Sequence, residues 1–220
     1  SGAKRGVIHT ASVELPVRAS GAVQLEDDAS HVAVRFSLRG ANDVEVSTTE
    51  GIALYPGVLA GADMVHRAHA EGTEDFVVFE TRPAHEEIAY EVDVSRVAGL
   101  RLVGNTLEFL DTGGAPRLRM ASPYVVDATG ERRVARLEVS GCARDQDPRG
   151  PWGRELVAPG GRNCLVRVVW GGDELRYPLL VDPAWTSAGS MVAGRGYHTA
   201  SVLSNGKILV AGGDGASGYL

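Results

Sequence analysis

Short segments in which apolar and polar residues alternate constrain this chain more than any other feature. Because successive side chains of a β-strand point to opposite faces, such alternation is typical of a strand with one buried face. The segments are 31–38, 44–46, 75–80, 88–94, 100–104, 106–110 and 134–140. Gly, Asp and Asn are frequent between them and favour tight turns. The sequence therefore predicts a mainly β fold with antiparallel sheets, similar to a β-sandwich.

Helical periodicity is weak throughout. The best candidate, 60–71, follows neither a clean 3.6-residue nor a clean two-residue period and is interrupted by glycine, so we favour a strand there. Segments 163–170 and 175–183 flank Gly171-Gly172-Asp173, which predicts a closing hairpin. The stretch 141–161 has no strong periodicity, which predicts a long surface loop or a loop with one short element.

Charge argues against a nucleic-acid partner, and hydropathy argues against a membrane span. The chain has 22 Lys and Arg against 28 Asp and Glu, a net charge of −6, and no basic stripe that could neutralise phosphates. No run of eighteen apolar residues is present, and the N-terminus lacks the apolar core of a signal peptide. We expect no nucleic-acid partner and no membrane span.

The two cysteines leave two readings open. Cys142 and Cys164 flank a polar stretch rich in Gly and Pro, as expected if a disulfide closes a long hairpin loop in an extracellular protein. The alternative is a pair of buried free thiols in a cytosolic protein. A zinc site is disfavoured because no histidine lies near either cysteine.

A group of histidines and carboxylates is the main candidate for a metal site. Its members are Asp63, His66, His69, Glu71, Glu74 and Asp75. On a helix, His66 and His69 would lie side by side, whereas on a strand they point to opposite faces. Since we favour a strand, we expect surface histidines, and neither a metal nor another cofactor.

Catalytic motifs are missing, and the aromatic residues leave a choice. There is no Gly-x-Ser-x-Gly elbow and no phosphate-binding loop with a following Lys and Ser or Thr, so we expect no enzyme. Several aromatic side chains could form a sugar-stacking platform, but such residues more often fill a core. They are Trp152, Trp170, Trp185, Tyr55, Tyr90, Tyr124 and Tyr177.

The amino-acid composition changes after Pro183. Residues 184–220 are rich in Gly and Ser, and Asn205-Gly206 separates two apolar runs, which is a strong hairpin signal. We therefore predict a β-rich N-terminal domain over residues 1–183 and a second unit over 184–220.

The second unit resembles the start of a bacterial kelch repeat. The matching positions are Trp185, Met191, Arg195, His198, Thr199, Ala200, Asn205, Gly206, Gly212 and Gly213. The resemblance implies a β-propeller, and because a kelch blade has about fifty residues, this chain would hold an incomplete first blade in the form of a hairpin.

The upstream part resembles a β-rich bacterial domain of uncharacterised function that precedes β-propeller-type repeats in secreted proteins. The resemblance rests on LYPGVLAGADMV at 54–65, EDFVVFE at 74–80, SPYVVDATGERR at 122–133 and YPLLVDPAW at 177–185. The sequence departs from that family at Arg67-Ala68-His69 and in the cysteine-bracketed loop.

Together these observations favour a non-enzymatic, extracellular or cell-surface module that precedes a kelch propeller of the same parent protein. It would act as a spacer or bind a protein or glycan at the cell surface. Two alternatives remain. One is an accessory domain of a secreted propeller enzyme, such as a copper-radical oxidase similar to galactose oxidase, and the other is a propeller-linked lectin.

Overall fold

The computed structural model describes residues 10–151, 153–172, 174–188, 195–197, 199–202, 208–212, 214–215 and 218–219. These residues form β-strands and turns and contain no helix, which confirms the mainly β prediction. They divide into a large unit within His9–Ala188 and a small unit within Gly189–Leu220.

The large unit contains two antiparallel sheets. Its strands are β1 Ala11–Glu14, β2 Val23–Asp27, β3 Ala33–Leu38, β4 Ser47–Thr49, β5 Ile52–Leu59, β6 Ala62–His69, β7 Gly72–Phe79, β8 Glu87–Arg96, β9 Gly99–Val103, β10 Thr106–Leu110, β11 Pro116–Met120, β12 Tyr124–Val126, β13 Arg132–Val134, β14 Arg136–Ser140, β15 Asn163–Val169, β16 Leu179–Asp182 and β17 Ala184–Ser187. A six-stranded sheet has the order β1-β2-β3-β8-β15-β14, and the other strands form an eleven-stranded sheet.

The eleven-stranded sheet forks at β7. One edge of β7 pairs with β6 along its whole length, and β6 continues to β5 and β4. The other edge pairs with β16 at Val77–Phe79 and with β17 at Gly72–Glu74. Only Pro183, which has no N–H to donate, separates β16 from β17. From there β16 leads to β12 and β13, whereas β17 leads to β11, β10 and β9.

Trp185 lies at the centre of the core between the sheets. Its indole is fully buried and stacks on Phe36 of the six-stranded sheet, with ring centroids 4.0 Å apart. Tyr90 meets the indole edge-on at 5.7 Å, and Phe109 lies on a nearly parallel plane at 6.3 Å. Face-to-face packing of two sheets over one core is the arrangement of a β-sandwich. The division between the two units follows Ala188, whereas the sequence places a boundary after Pro183.

Most alternating segments are strands in the structure. The predicted strands near β3, β7, β8, β9 and β10 are present, and segment 60–71 contains β6, as favoured from its sequence. Segment 134–140 divides into β13 and β14 around Ala135. The strand predicted at 44–46 is wrong, because that segment makes one isolated bridge, between Glu45 and Arg18, and no ladder.

The predicted closing hairpin is also wrong. β15 belongs to the six-stranded sheet, where β8 and β14 occupy both of its edges. The chain therefore crosses to the other sheet before β16, which pairs with β7 and β12.

The small unit consists of short antiparallel strands. They are β18 Arg195–Gly196, β19 Thr199–Val202, β20 Ile208–Ala211, β21 Asp214–Gly215 and β22 Gly218–Tyr219. β19 pairs with β20, as the predicted hairpin requires, and β21 pairs with β18 and β22. The turn at Asn205-Gly206 lies outside the described residues.

Candidate interaction surface

Cys142 and Cys164 form a disulfide with a Cα–Cα distance of 5.4 Å. The bond closes the open end of the β14–β15 pair, where Ser140 lies opposite Leu165. The disulfide prediction is thus confirmed, and the alternative of two free thiols is wrong. Within the described part of 141–162, the predicted surface loop contains no strand.

The disulfide-closed loop covers an edge of the eleven-stranded sheet. Backbone hydrogen bonds join Leu100 and Leu102 of β9 to Asp145 and Val157 of the loop. The buried guanidinium of Arg101 donates to the carbonyl oxygens of residues 147, 148 and 149 and forms a 2.6 Å ion pair with Glu108. An exposed edge strand invites pairing with other chains, and this loop prevents that at β9.

The histidines and carboxylates considered as metal ligands do not converge. On β6, Asp63 and His69 are exposed and His66 is buried, because the strand alternates between its faces. The expectation of surface histidines is therefore wrong for His66, which lies on an interior strand of the sheet. Asp63 accepts a 2.6 Å hydrogen bond from the backbone N–H of Gly57. Among the described residues, no group of three or more His, Cys, Asp and Glu side chains is placed to hold a metal ion.

Buried titratable groups lie in the core instead. Asp75 is fully buried and lies opposite His66 in the β6–β7 ladder. Burial raises the pKa of Asp75 well above its usual range, although a hydrogen bond from Tyr90 opposes this shift. Burial lowers the pKa of His66 to about 4. Both groups lie inside the sandwich and are therefore unavailable to a bound molecule.

The aromatic residues mainly fill the core. Trp170, Trp185, Tyr55 and Tyr90 are buried, and Tyr124 and Tyr177 are half-buried. Trp152 lies outside the described residues. The buried four cannot form a sugar-stacking platform.

The kelch-like positions lie in different parts of the structure. Trp185 belongs to the core of the large unit. Arg195 lies in β18, Thr199 and Ala200 lie in β19, and Gly212 has a φ of 68°. Met191, His198, Asn205, Gly206 and Gly213 lie outside the described residues.

The outer face of the six-stranded sheet is charged. Ion pairs cross it, and every strand from β2 to β14 in this sheet except β3 contributes a paired charge. The pairs are Glu26–Arg96, Asp93–Arg162 and Glu138–Arg167. Such a face is typical of a surface that remains in water.

The outer face of the eleven-stranded sheet is apolar. Along β7, Phe76 and Val78 point away from the core and are half-buried, whereas the flanking Asp75 and Val77 are fully buried. Aliphatic side chains lie beside them on β6 and β16 and, one strand further out, on β5 and β12. We call this surface the apolar face; its residues are Leu54, Val65, Phe76, Val78, Val126 and Leu180.

Two charged rims border the apolar face. At the β13 edge, the guanidinium of Arg132 lies 3.5 Å from the ring centroid of Tyr124. Tyr124 hydrogen-bonds Asp182, and burial together with this bond raises the pKa of Tyr124 to about 12. On β6, both Asp63 and Arg67 are exposed. The aliphatic side chains therefore have charged groups on both sides, and the buried Asp182 of β16 lies opposite Tyr124 beside them.

No known protein-family model, curated protein or solved structure matches the chain. In the described part of the chain, no helix is long and apolar enough to cross a membrane.

The sequence predictions did not identify the apolar face. Segment 75–80 alternates in both registers, since Phe76 and Val78 are apolar on one face while Val77 and Phe79 are apolar on the other. That two-sided apolar pattern is the signal that could have pointed to a second buried surface.

Proposed function

We propose that this chain is a non-enzymatic, extracytoplasmic binding module that contacts a protein partner through the apolar face and precedes a kelch-type propeller. The observation that carries the proposal is the contrast between the two outer faces. One is covered by interstrand ion pairs, whereas the other presents Leu54, Phe76 and Val78. Contiguous exposed apolar surface rimmed by charge is typical of protein interaction sites.

A protein partner suits this surface better than a glycan does. Sugars are held by stacking aromatic rings together with polar groups that hydrogen-bond their hydroxyls. The apolar face is aliphatic apart from Phe76, and the carboxylate on β16, Asp182, is buried and hydrogen-bonded to Tyr124. Binding of the chain on a glycan array would favour the lectin alternative.

The disulfide supports an extracytoplasmic location. Disulfides persist in oxidising compartments and are rare in the cytosol. The bond between Cys142 and Cys164 holds a loop that in turn protects β9. Alkylation of intact cells with a thiol reagent before and after reduction tests this location. We expect both thiols to be labelled only after reduction, and complete labelling beforehand would contradict it.

The small unit supports the link to downstream repeats. β19 and β20 form a hairpin, and β21 pairs with β18 and β22, as short strands of an incomplete blade would. Several blades must stack before any of them is stable, so the rest of the propeller would follow in the parent protein.

Site-specific photocrosslinking in the producing cells tests the binding function. A photoreactive phenylalanine analogue replaces Phe76 in one variant and Val169 in the other. Val169 is a half-buried apolar residue of β15 and is the matched control. We expect protein adducts from position 76 and few from position 169. Equal yields at the two positions would contradict a binding role for the apolar face.

A further inference from the structure

Three strands lie at edges of the eleven-stranded sheet and differ in how they are protected. The backbone of β9 is hydrogen-bonded to the disulfide-closed loop. β4 is exposed, but its residues Ser47, Thr48 and Thr49 are all polar. β13 carries Val134, which is 76% exposed. Because sheet edges are usually protected by polar residues, charges or a covering loop, an exposed aliphatic residue at an edge points to a binding site.

The ladder between β12 and β13 shows where the backbone groups of β13 point. The N–H of Ala135 donates to the carbonyl oxygen of Pro123. Hydrogen-bonded pairs alternate with non-hydrogen-bonded pairs in an antiparallel ladder, so the N–H and C=O groups of Arg132 and Val134 point away from β12. No backbone hydrogen bond from the described part of the chain reaches these four groups. They recur every second residue, at about 6.8 Å, which is the spacing that a further strand requires.

The arginines of β13 leave this edge open. The guanidinium of Arg132 lies over the ring of Tyr124 on the neighbouring strand, 3.5 Å from its centroid, so it does not project beyond the edge. Arg133 forms ion pairs with Glu131 and Glu174. A guanidinium that stacks on a ring keeps its in-plane N–H donors available to a carboxylate. One face of the edge therefore presents an aliphatic side chain and, two residues away, a stacked cation.

We propose that an extended segment of the protein partner adds to β13 as a further antiparallel strand. This inference rests on the proposed binding function and specifies how the partner binds. The outward N–H and C=O groups select an extended backbone, as in other cases of strand addition. On the face shared by Arg132 and Val134, the segment carries an apolar residue opposite Val134. An acidic residue two positions away lies opposite Arg132.

The added strand extends the apolar face. Val126 of β12 lies opposite Arg132 on one side and opposite Leu180 on the other. Side chains of the segment therefore continue the rows of side chains that cross this face. Since β13 has only three residues, the edge fixes the register of the segment and the apolar face supplies most of the contact area. For a short peptide at the edge alone, we expect a dissociation constant on the order of 100 μM.

Selection of phage-displayed random peptides on the whole chain tests the recognition pattern. We expect the enriched peptides to share an apolar residue and an acidic residue two positions apart, without proline between them. An enriched peptide is then synthesised and titrated against the chain and its variants. Enrichment of peptides that lack this pattern would overturn the proposed segment.

Proline at position 134 tests the backbone pairing. Val134→Pro removes an N–H that points away from β12, so the fold should persist, and peptide binding should weaken at least about tenfold. Val134→Ile keeps the N–H and the apolar surface and should bind at least as tightly as the wild type. Thr112→Pro, in the turn between β10 and β11, is the control for proline itself. Melting temperatures verify that both proline variants are folded, and full binding by Val134→Pro would overturn strand addition.

A charge exchange tests the position of the acidic residue. Selection on Arg132→Glu should replace the acidic residue of the enriched peptides by a basic one, while the apolar residue opposite Val134 is retained. A change in the preferred charge cannot result from a loss of stability. Persistence of the acidic preference would overturn the pairing with Arg132.

Further outcomes distinguish this inference from the function on which it rests. If position 76 crosslinks to the same proteins in wild type and in Val134→Pro, the binding function stands and strand addition is overturned. If position 76 gives no adducts although peptide binding depends on Val134, the edge site stands and the role of the apolar face fails. Self-association that Val134→Pro abolishes would assign the edge to a second copy and overturn the partner segment.

Discussion

Tyr90 on β8 donates a 2.6 Å hydrogen bond to Oδ2 of Asp75 on β7, so a polar contact joins the two sheets through the middle of the core. Both side chains are almost completely buried. A buried polar group costs free energy unless it is hydrogen-bonded. The pair therefore stabilises the packing of the two sheets against each other.

Removal of the Tyr90 hydroxyl should destabilise the protein. Tyr90→Phe leaves the buried carboxyl of Asp75 without its donor and should lower the free energy of unfolding by about 2–3 kcal/mol. Urea denaturation at pH 7 measures the loss. Tyr55→Phe is the control, since the Tyr55 hydroxyl donates to the backbone carbonyl of Pro16. It should cost about 1 kcal/mol. Equal costs would mean that Asp75 does not depend on Tyr90.

The raised pKa of Asp75 predicts a loss of stability with increasing pH. Burial keeps the carboxyl protonated in the folded state at pH values where the unfolded chain, with a pKa near 3.8, has released the proton. Its stabilising contribution is complete below pH 3.8 and declines as the pH rises through the folded-state pKa. Asp75→Asn removes this dependence. We expect the variant to gain stability relative to the wild type between pH 4 and 8; a constant difference would contradict the shift.

His66 should act in the opposite direction. Its pKa falls from 6.5 in the unfolded chain to about 4 in the core, so the folded state resists protonation. This stability is present above pH 6.5 and is lost as the pH falls towards 4, by about 3 kcal/mol. The difference in unfolding free energy between His66→Leu and the wild type should change by that amount across the window. A pH-independent difference would show that folding does not shift the pKa of His66.

Sequence periodicity located many strands but could not choose their partners. β7 meets β16 and β17, about a hundred residues further along the chain, and no local pattern encodes that pairing. The same limit explains the error at β15 and β16, which are neighbours in sequence and lie in different sheets. A turn between two strands forms a hairpin only if the first strand still has a free edge with which the second can pair.

Alternation also fails to decide which face of a strand is buried. On β7 the inward face carries Asp75 and the outward face carries Phe76, which reverses the usual preference. Asp75 is tolerated because Tyr90 supplies a hydrogen bond from the opposite sheet. That partner lies outside any local window, so tertiary structure decides which face of β7 is buried.

Arg101 should control the order of the disulfide-closed loop. Arg101→Met keeps the apolar stem but removes the donors to three loop carbonyls and to Glu108, and should cost about 3 kcal/mol. Amide exchange at Leu100 and Leu102 should accelerate as the loop detaches. Arg149→Ala is the control, because that side chain is exposed and pairs locally with Asp147. Unchanged exchange in the Arg101 variant would show that the disulfide alone holds the loop.

Alanine substitutions at two glycines should separate the cost of a steric collision from the cost of backbone strain. Gly72 has a φ of 153°, and a Cβ there would lie 2.0 Å from the carbonyl oxygen of Trp185 in the neighbouring strand. Gly57 has a φ of 64° with open space around it. Gly57→Ala should therefore cost about 1 kcal/mol, through strain alone. Gly72→Ala must separate β7 from β17 and should cost more than about 4 kcal/mol.

Thermal unfolding followed by circular dichroism measures both effects, and near-ultraviolet spectra report the packing of Trp185. We expect Gly57→Ala to retain the native spectrum with a slightly lower melting temperature. Gly72→Ala should lose the near-ultraviolet signal, because the β7–β17 ladder places Trp185 in the core. A native spectrum in Gly72→Ala would mean that the two strands are farther apart than the pairing of Gly72 with Thr186 requires.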